Sequence, residues 1–141
     1  MNLVVNTNRI IAALIKNSYS RKIILDSSVD LLTINASEED IKDHKQEILN
    51  KSKLTEDQFN SVYEKLKEKL TMLDDKIIQE KMNEAKGIID HIDKDDAPFI
   101  AAALATNSII WTDDKHFERQ NKIKILKTKD LIKRIYPSNA S

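Results

Sequence analysis

Short apolar runs alternate along the chain with longer segments whose apolar residues recur at helical spacing. The run at 3–5 is followed by polar residues and then by Ile10, Ala13 and Leu14 at intervals of three and one, which predicts a strand, a tight turn and a helix. The same criteria predict further strands at 31–34, 70–73, 109–111 and 123–126, and helices over 21–26, 37–49, 55–70, 77–89, 98–105 and from 128 onwards. Strands that alternate with helices predict an α/β fold: a three-layer sandwich in which helices flank a central, mainly parallel sheet.

Several predicted helices begin at residues that favour helix starts. Ser37, followed by Asp40 at the third helical position, matches a capping box, and Thr55 and Thr128 are expected to begin two later helices. The segment that follows Pro98 is apolar almost all round, so it is predicted to be buried on most faces. His44 lies on the apolar stripe of its helix and is expected to be half-buried.

Composition limits the class of protein. The chain has 141 residues, no cysteine, one glycine and no net charge, which predicts a single domain and excludes disulfides, thiolate metal sites and glycine-rich phosphate loops. Its longest apolar runs fall short of the roughly 18 residues that a membrane span needs. We expect a soluble, cytoplasmic protein with one domain over 1–137 and a frayed tail at 138–141.

Basic residues concentrate near the carboxyl end of the chain. The segment 115–134 carries a net charge of +6, and the remainder carries −6. This asymmetry favours a polyanionic partner, although solvated lysines on surface elements would explain the same segment.

Polar and acidic residues follow the predicted strands at the positions where a parallel sheet forms its crevice. Asn6 comes after the first strand, Asp114 closely follows the strand at 109–111, and the acidic run 93–96 directly precedes the buried helix. In open parallel sheets the functional crevice lies outside the carboxyl ends of the strands. These positions, with the acidic run 38–40, are therefore predicted to converge.

Capping is an alternative interpretation of each acidic position taken singly. Asp96 and Ser37 are favoured helix caps, and acidic first turns complement the helix dipole. Carboxylates packed together, however, repel one another unless a cation or a proton compensates. Oxygen ligands without cysteine and with only three histidines suit Mg²⁺ or Mn²⁺ better than Zn²⁺. His91 and His116 are expected on the surface or behind the metal ligands.

Four segments together resemble a PIN domain. They are 4–8 (VVNTN), the acidic helix start around Asp40, 93–99 (DKDDAPF) and 111–117 (WTDDKHF). The resemblance spans nearly the whole chain in the family's order. It implies a fold with a central parallel sheet between helices and a Mg²⁺- or Mn²⁺-dependent ribonuclease, as in toxins of toxin–antitoxin pairs. It also implies RNA as substrate, an antitoxin protein as a possible partner, and a homodimer.

The resemblance assigns roles to individual residues. The family's four catalytic acids fall on position 6, on Asp40 with Glu39 as a close rival, on Asp96 and on Asp114, and the metal ligands fall on positions 6, 96 and 114. The accessory residues are Asn8, Glu39, Asp93 and Thr112. Independently of the resemblance, Arg9 and Lys115 flank the predicted crevice and could contact phosphate, and a solvated role would explain them equally well.

One position departs from the family pattern. The family has aspartate at position 6, where this chain has Asn6. An amide still offers one oxygen to a metal, but it removes a negative charge, so weak metal binding and poor cleavage are expected. The leading hypothesis is therefore a weakened metal-dependent RNA endonuclease, and the alternative is an impaired PIN module that binds RNA or a protein. A receiver-like signalling domain is disfavoured because no pair of acids accompanies the first strand.

Overall fold

The central sheet has five parallel strands in the order β3-β2-β1-β4-β5. The computed structural model describes residues 1–26 and 28–137, so the predicted frayed tail at 138–141 lies outside the described residues. The strands are β1 (Asn2–Val5), β2 (Asp30–Thr33), β3 (Leu70–Met72), β4 (Ile109–Trp111) and β5 (Ile125–Leu126).

The strand order places a topological switch point beside β1. Leu3 pairs with Leu31 of β2 on one side and with Ile109 of β4 on the other. The chain first builds β2 and β3 outward on one side of β1 and then returns to build β4 and β5 on the other. The carboxyl ends of β1 and β4 therefore flank the position where ligands bind in open α/β sheets.

Helices connect the strands and cover both faces of the sheet. They are α1 (Thr7–Ile15), α2 (Tyr19–Asp26), α3 (Asn35–Asp43), α4 (Lys45–Ser52), α5 (Glu56–Lys69), α6 (Asp75–Asp93), α7 (Ala97–Thr106) and α8 (Thr128–Ile135), with short 3₁₀ helices at Lys94–Asp96 and Lys115–Arg119.

Successive residues of β1 enter two separate cores. Leu3 and Val5 pack in a cluster with residues of α1, α2, α4, α5 and α8, whereas Val4 packs with residues of α6 and α7. This alternation follows from the two-residue period of a strand that is covered on both faces. The predicted three-layer sandwich is therefore confirmed.

The capping box predicted at Ser37 is wrong. Helix α3 already begins at Asn35, with Ile34 at the N-cap and no side-chain capping bond. The Ser37 hydroxyl instead lies 2.7 Å from the hydroxyl of Thr7, in a buried contact. A tertiary hydrogen bond has replaced the local one.

The segment 37–49, predicted as one helix, is divided at His44. This residue ends α3 and precedes α4, and its Nδ1 lies 2.8 Å from the carbonyl oxygen of Asp40. His44 is exposed, so the expectation of a half-buried packing residue is wrong. The break turns the ring out of the apolar stripe.

The other helix starts follow the sequence more closely. Thr55 caps α5 by a capping box in which the Thr55 hydroxyl accepts from the Gln58 N–H and the Gln58 side chain accepts from the Thr55 N–H. Thr128 is the first residue of α8 rather than its cap, because its hydroxyl bonds to Trp111 and Asp113. The buried helix predicted after Pro98 is confirmed as α7.

No helix within 1–26 and 28–137 combines the length and the apolar character that crossing a membrane requires.

Candidate metal centre

The ends of β1 and β4 meet through Asn6. Its backbone N–H donates to the Trp111 carbonyl at 3.0 Å, which extends the pairing of the two strands by one residue. The Asn6 side chain is 4% exposed and caps α1, since its Oδ1 accepts from the Asn8 N–H at 3.2 Å. Position 6 is therefore held by both its backbone and its side chain.

Asp96 is a buried carboxylate at the start of α7. It ends the 3₁₀ helix that connects α6 to α7 and is 8% exposed. Although it occupies the N-cap position of α7, its side chain makes no capping bond, and its Oδ2 has no hydrogen-bond partner among the residues described. Capping therefore does not account for Asp96, and a buried, unpartnered carboxylate oxygen is costly unless a proton or a cation satisfies it.

The surroundings of Asp96 favour its protonated form. Burial, reinforced by the negative charges of Asp93, Asp114 and Asp95, raises the pKa of Asp96 to about 7, and the nearby His116 opposes this shift. Near neutral pH and in the absence of a metal, a protonated Asp96 carboxyl is therefore well populated. A divalent cation would supply the same compensation.

The turn after β4 directs two further side chains towards Asp96. The Thr112 hydroxyl accepts from the Asp114 N–H at 3.0 Å, and Asp114 Oδ1 accepts from the His116 N–H at 2.9 Å. These bonds bend the chain so that His116 Nδ1 lies 3.2 Å from Asp93 Oδ2 and 3.6 Å from Asp114 Oδ1. We call Asp93, Asp96, Asp114 and His116 the acidic cluster.

Three donor atoms of the acidic cluster lie close enough together to hold one metal ion. One ligand atom each from Asp93, Asp96 and His116 lies within 4.8 Å of the others, and within the described part of the chain this is the only such group of three or more acidic, histidine or cysteine side chains. Ligands of an ion at about 2.1 Å lie about 3 Å apart when adjacent and about 4 Å apart when opposite. The spacing and the unpartnered Asp96 oxygen are thus compatible with a bound divalent cation.

The structure brings three of the predicted site residues together and places Asp40 on the wall of a surface groove. Asp96, Asp114 and the accessory Asp93 meet in the acidic cluster, and Thr112 holds the turn. Asp40 is exposed and lines a groove of about 310 Å³ with Thr7, Asn8 and His44. It is not among the charges that shift the pKa of Asp96.

Glu39 and the two flanking cations occupy different surroundings. Glu39 is exposed and shares a surface depression with Asn35 and Lys42. Lys115 is also exposed. The Arg9 guanidinium, 19% exposed, pairs with Asp113 at 2.8 Å from Nη1 to Oδ2, so it is already neutralised by the chain itself.

The sequence interpretation placed His116 on the surface or behind the metal ligands, and the structure places its Nδ1 within the acidic cluster. The signal that could have found it is local. Asp114 is two residues before His116, and an aspartate that accepts from the N–H two residues on folds the chain into a tight turn.

Comparisons with known proteins identify the fold. A family model for the PIN domain matches residues 4–131. The crystal structure of VapBC2 from Rickettsia felis bound to a DNA fragment from their promoter contains a similar chain, with a TM-score of 0.68 and 16% identity, covering 90% of this chain and 98% of that one. No curated protein matches. At this identity the structural likeness shows a shared fold.

Proposed function

The chain belongs to the PIN-domain family, and from that premise we propose that it is a metal-dependent RNA endonuclease with activity reduced by Asn6. The proposal names a reaction, the hydrolysis of a phosphodiester bond by water. It also names a location, the acidic cluster at the switch point between β1 and β4.

Asp96 is the single observation that carries this proposal. A carboxylate that is 8% exposed, has an oxygen without a hydrogen-bond partner and is surrounded by other acids stabilises nothing by itself. Such arrangements destabilise the folded chain and occur where function requires them. The cluster would hold Mg²⁺ or Mn²⁺ through Asp93, Asp96 and Asp114, with Asn6 beside it at the end of β1.

The role of each residue in the proposed site follows from these contacts. A bound divalent ion supplies activation of water and neutralises negative charge on the phosphodiester in the transition state. Asp96, on a buried helix start, fixes the position of the site, while Asp114 is oriented by Thr112 and by its own bond to the His116 N–H. Asn6 contributes an oxygen but no charge, which weakens electrostatic stabilisation.

The test measures cleavage of single-stranded RNA with Mn²⁺ by the full chain and by three variants. We expect Asn6→Asp to cleave faster than the unmodified chain and Asp96→Asn to lose cleavage. Glu84→Gln is the control, because Glu84 is an exposed acid on α6 outside the cluster, and it should leave the rate unchanged. Cleavage that persists in Asp96→Asn would contradict the assignment of the site.

An impaired module that binds RNA without cutting it is the second candidate. It is favoured by one observation: the Asn6 side chain already caps α1, so the fold keeps this residue without needing a catalytic acid there. If neither the unmodified chain nor Asn6→Asp cleaves RNA while both still bind it, this candidate is correct.

RNA binding would draw on the basic segment 115–134. Most of its cations are exposed, namely Lys115, Arg119, Lys122, Lys124, Lys129, Lys133 and Arg134. Binding through phosphates should weaken steeply with salt. Lys127 is the exception, because it pairs with Glu118 at 2.6 Å.

We further propose that the chain is the toxin of a toxin–antitoxin pair in the cytoplasm, with an antitoxin protein as its partner. The support is the fold shared with a chain of the VapBC2 complex. Co-expression with the product of a neighbouring gene, followed by co-purification and loss of RNA cleavage, tests this proposal. The homodimer stays a prediction, which analytical ultracentrifugation would test.

A further inference from the structure

The acidic cluster contains one nitrogen donor, and it lies among the carboxylates. His116 Nδ1 is 3.2 Å from Asp93 Oδ2 and 3.6 Å from Asp114 Oδ1. The same atom belongs to the group of three donors that lie within 4.8 Å of one another. The ring therefore faces the position that a metal ion would occupy.

The protein itself does not satisfy this nitrogen. His116 Nδ1 is buried and has no partner with hydrogen-bond geometry among the residues described, as is true of Asp96 Oδ2. The His116 side chain as a whole is 43% exposed, so the solvent-accessible part of the ring belongs to its other atoms. A neutral imidazole with its proton on Nε2 would present the Nδ1 lone pair to the cluster.

The backbone that carries the ring is held on both sides. The Asp114 side chain accepts the His116 N–H, and Phe117, the next residue, is fully buried and stacks edge-on against Phe99 of α7 with ring centroids 6.5 Å apart. The histidine thus lies between the turn held by Asp114 and the buried Phe117 side chain. A ligand positioned in this way loses little conformational entropy when it binds a metal.

From these contacts we propose that His116 Nδ1 is a direct ligand of the divalent ion, together with Asp93 and Asp96, and that this nitrogen makes the site prefer Mn²⁺ to Mg²⁺. Imidazole suits transition metals, whereas Mg²⁺ takes oxygen ligands almost exclusively. The inference rests on the proposed metal site, and it deepens that proposal by naming a ligand and a preference among metals. A neutral nitrogen ligand in place of a carboxylate also lowers the negative charge that would otherwise retain Mg²⁺.

The test uses the untagged full chain, so that its three histidines are the only imidazoles present. Mn²⁺ and Mg²⁺ binding is measured by isothermal titration, and pulsed electron paramagnetic resonance of bound Mn²⁺ reports coupling to a histidine nitrogen. The variants are His116→Gln, His116→Asp and the control His91→Gln, since His91 is exposed on α6. Circular dichroism establishes that each variant is folded.

We expect nitrogen coupling in the unmodified chain and in His91→Gln, and none in His116→Gln or His116→Asp. His116→Gln should lose about tenfold in Mn²⁺ affinity and less in Mg²⁺ affinity, while His116→Asp should shift the preference towards Mg²⁺. Mn²⁺ bound without nitrogen coupling would overturn the inference. So would an unchanged or tighter Mn²⁺ affinity in His116→Gln, because the imidazole would then be a positive counter-charge that takes the place of the metal.

The same samples separate this inference from the proposed function. RNA cleavage without nitrogen coupling leaves the ribonuclease proposal standing and removes the histidine ligand. Nitrogen-coupled Mn²⁺ without RNA cleavage supports the histidine ligand and contradicts the ribonuclease proposal. If the unmodified chain binds no Mn²⁺ at all, both are wrong.

Discussion

Two neighbouring carboxylates at the end of β4 have opposite surroundings. Asp113 pairs with the Arg9 guanidinium at 2.8 Å and accepts two hydrogen bonds from Thr128, one from its N–H and one from its hydroxyl, each at 2.8 Å. Asp114 instead faces Asp96 and His116, and no lysine or arginine within the described residues pairs with it. One carboxylate is satisfied by the protein, and the other stands in a cluster of like charges.

The difference shows that the interaction partners of an aspartate, rather than its charge, distinguish a residue that stabilises the fold from a candidate catalytic residue. The Asp113 network links β4, α1 and α8, and Trp111 joins it by donating from Nε1 to the Thr128 hydroxyl at 3.0 Å. The acidic cluster links α6, α7 and the turn after β4 while leaving Asp96 Oδ2 unpartnered. A satisfied network stabilises the fold, and an unsatisfied one lowers its stability and favours a ligand.

Exchanging each carboxylate for an amide gives the largest contrast. Asp113→Asn should lower the free energy of unfolding by about 3 kcal/mol, because it removes the charge opposite Arg9 and points amide hydrogens at existing donors. Asp114→Asn keeps the oxygen that accepts from the His116 N–H and removes repulsion, so stability should be unchanged or higher. Urea unfolding at pH 8 with EDTA measures both, and equal losses in the two variants would refute the distinction.

Metal addition should stabilise only a chain with an intact cluster. Mn²⁺ at 100 times its dissociation constant should raise the free energy of unfolding by about 2.7 kcal/mol. Asp113→Asn should gain the same increment from its lower starting value, since its cluster is untouched. Asp96→Asn should gain none, as measured by urea unfolding with and without the ion, and a full gain in that variant would place the metal elsewhere.

Proton binding to Asp96 should appear as a pH-dependent loss of stability. Its pKa is raised from 3.8 to about 7 in the folded chain, so between these values the folded state holds a proton that the unfolded state has released. The contribution of Asp96 to the metal-free stability therefore falls as pH rises through this window and is constant above it. After allowance for solvent screening the loss is about 2 kcal/mol.

The matched variant for this effect is Asp96→Asn. It should be more stable than the unmodified chain by about 2 kcal/mol at pH 8 and similar to it at pH 4. Urea unfolding in EDTA at the two pH values tests the difference, and a difference independent of pH would show that Asp96 is not the titrating group.

Asn6→Asp should have the smallest effect on stability. Aspartate caps α1 about as well as asparagine, so the change isolates the added charge, which should cost the metal-free chain about 1 kcal/mol at pH 8 and tighten Mn²⁺ binding. Titration calorimetry and urea unfolding measure the two effects. Asn83→Asp, at an exposed position of α6, is the control for a charge that is not at the strand end.

The fold could be predicted largely because its signals are local. Apolar runs fixed the strands, and the all-apolar segment after Pro98 could only be a buried helix. One error occurred where a tertiary contact replaced a local one, at Ser37, whose hydroxyl meets Thr7, and others occurred where local side-chain bonds interrupted the periodic pattern. The strand predicted at 123–126 contains only Ile125–Leu126, because the Gln120 side chain bonds to both backbone groups of Ile123.

Less of the candidate site than of the fold could be predicted from the sequence. The spacing of Asp93, Asp96 and Asp114 against the predicted strands indicated that they would converge, since parallel strands end at one edge of the sheet. The pattern contained no signal that Arg9 would be neutralised by Asp113 across 104 positions of sequence. The spacing of Asp114 and His116 indicates a tight turn, but the tertiary packing of that turn decides which side chains the His116 ring faces.

The turn that follows β4 cannot change its length. Three consecutive residues have different roles there. Thr112 accepts the hydrogen bond that holds the turn, Asp113 pairs with Arg9 of α1, and Asp114 belongs to the acidic cluster. Inserting or deleting one amino acid there would exchange the carboxylate that secures the architecture with the one that faces the cluster, and both would fail together. Substitutions that keep this spacing can therefore change the properties of the centre while leaving the scaffold around it intact.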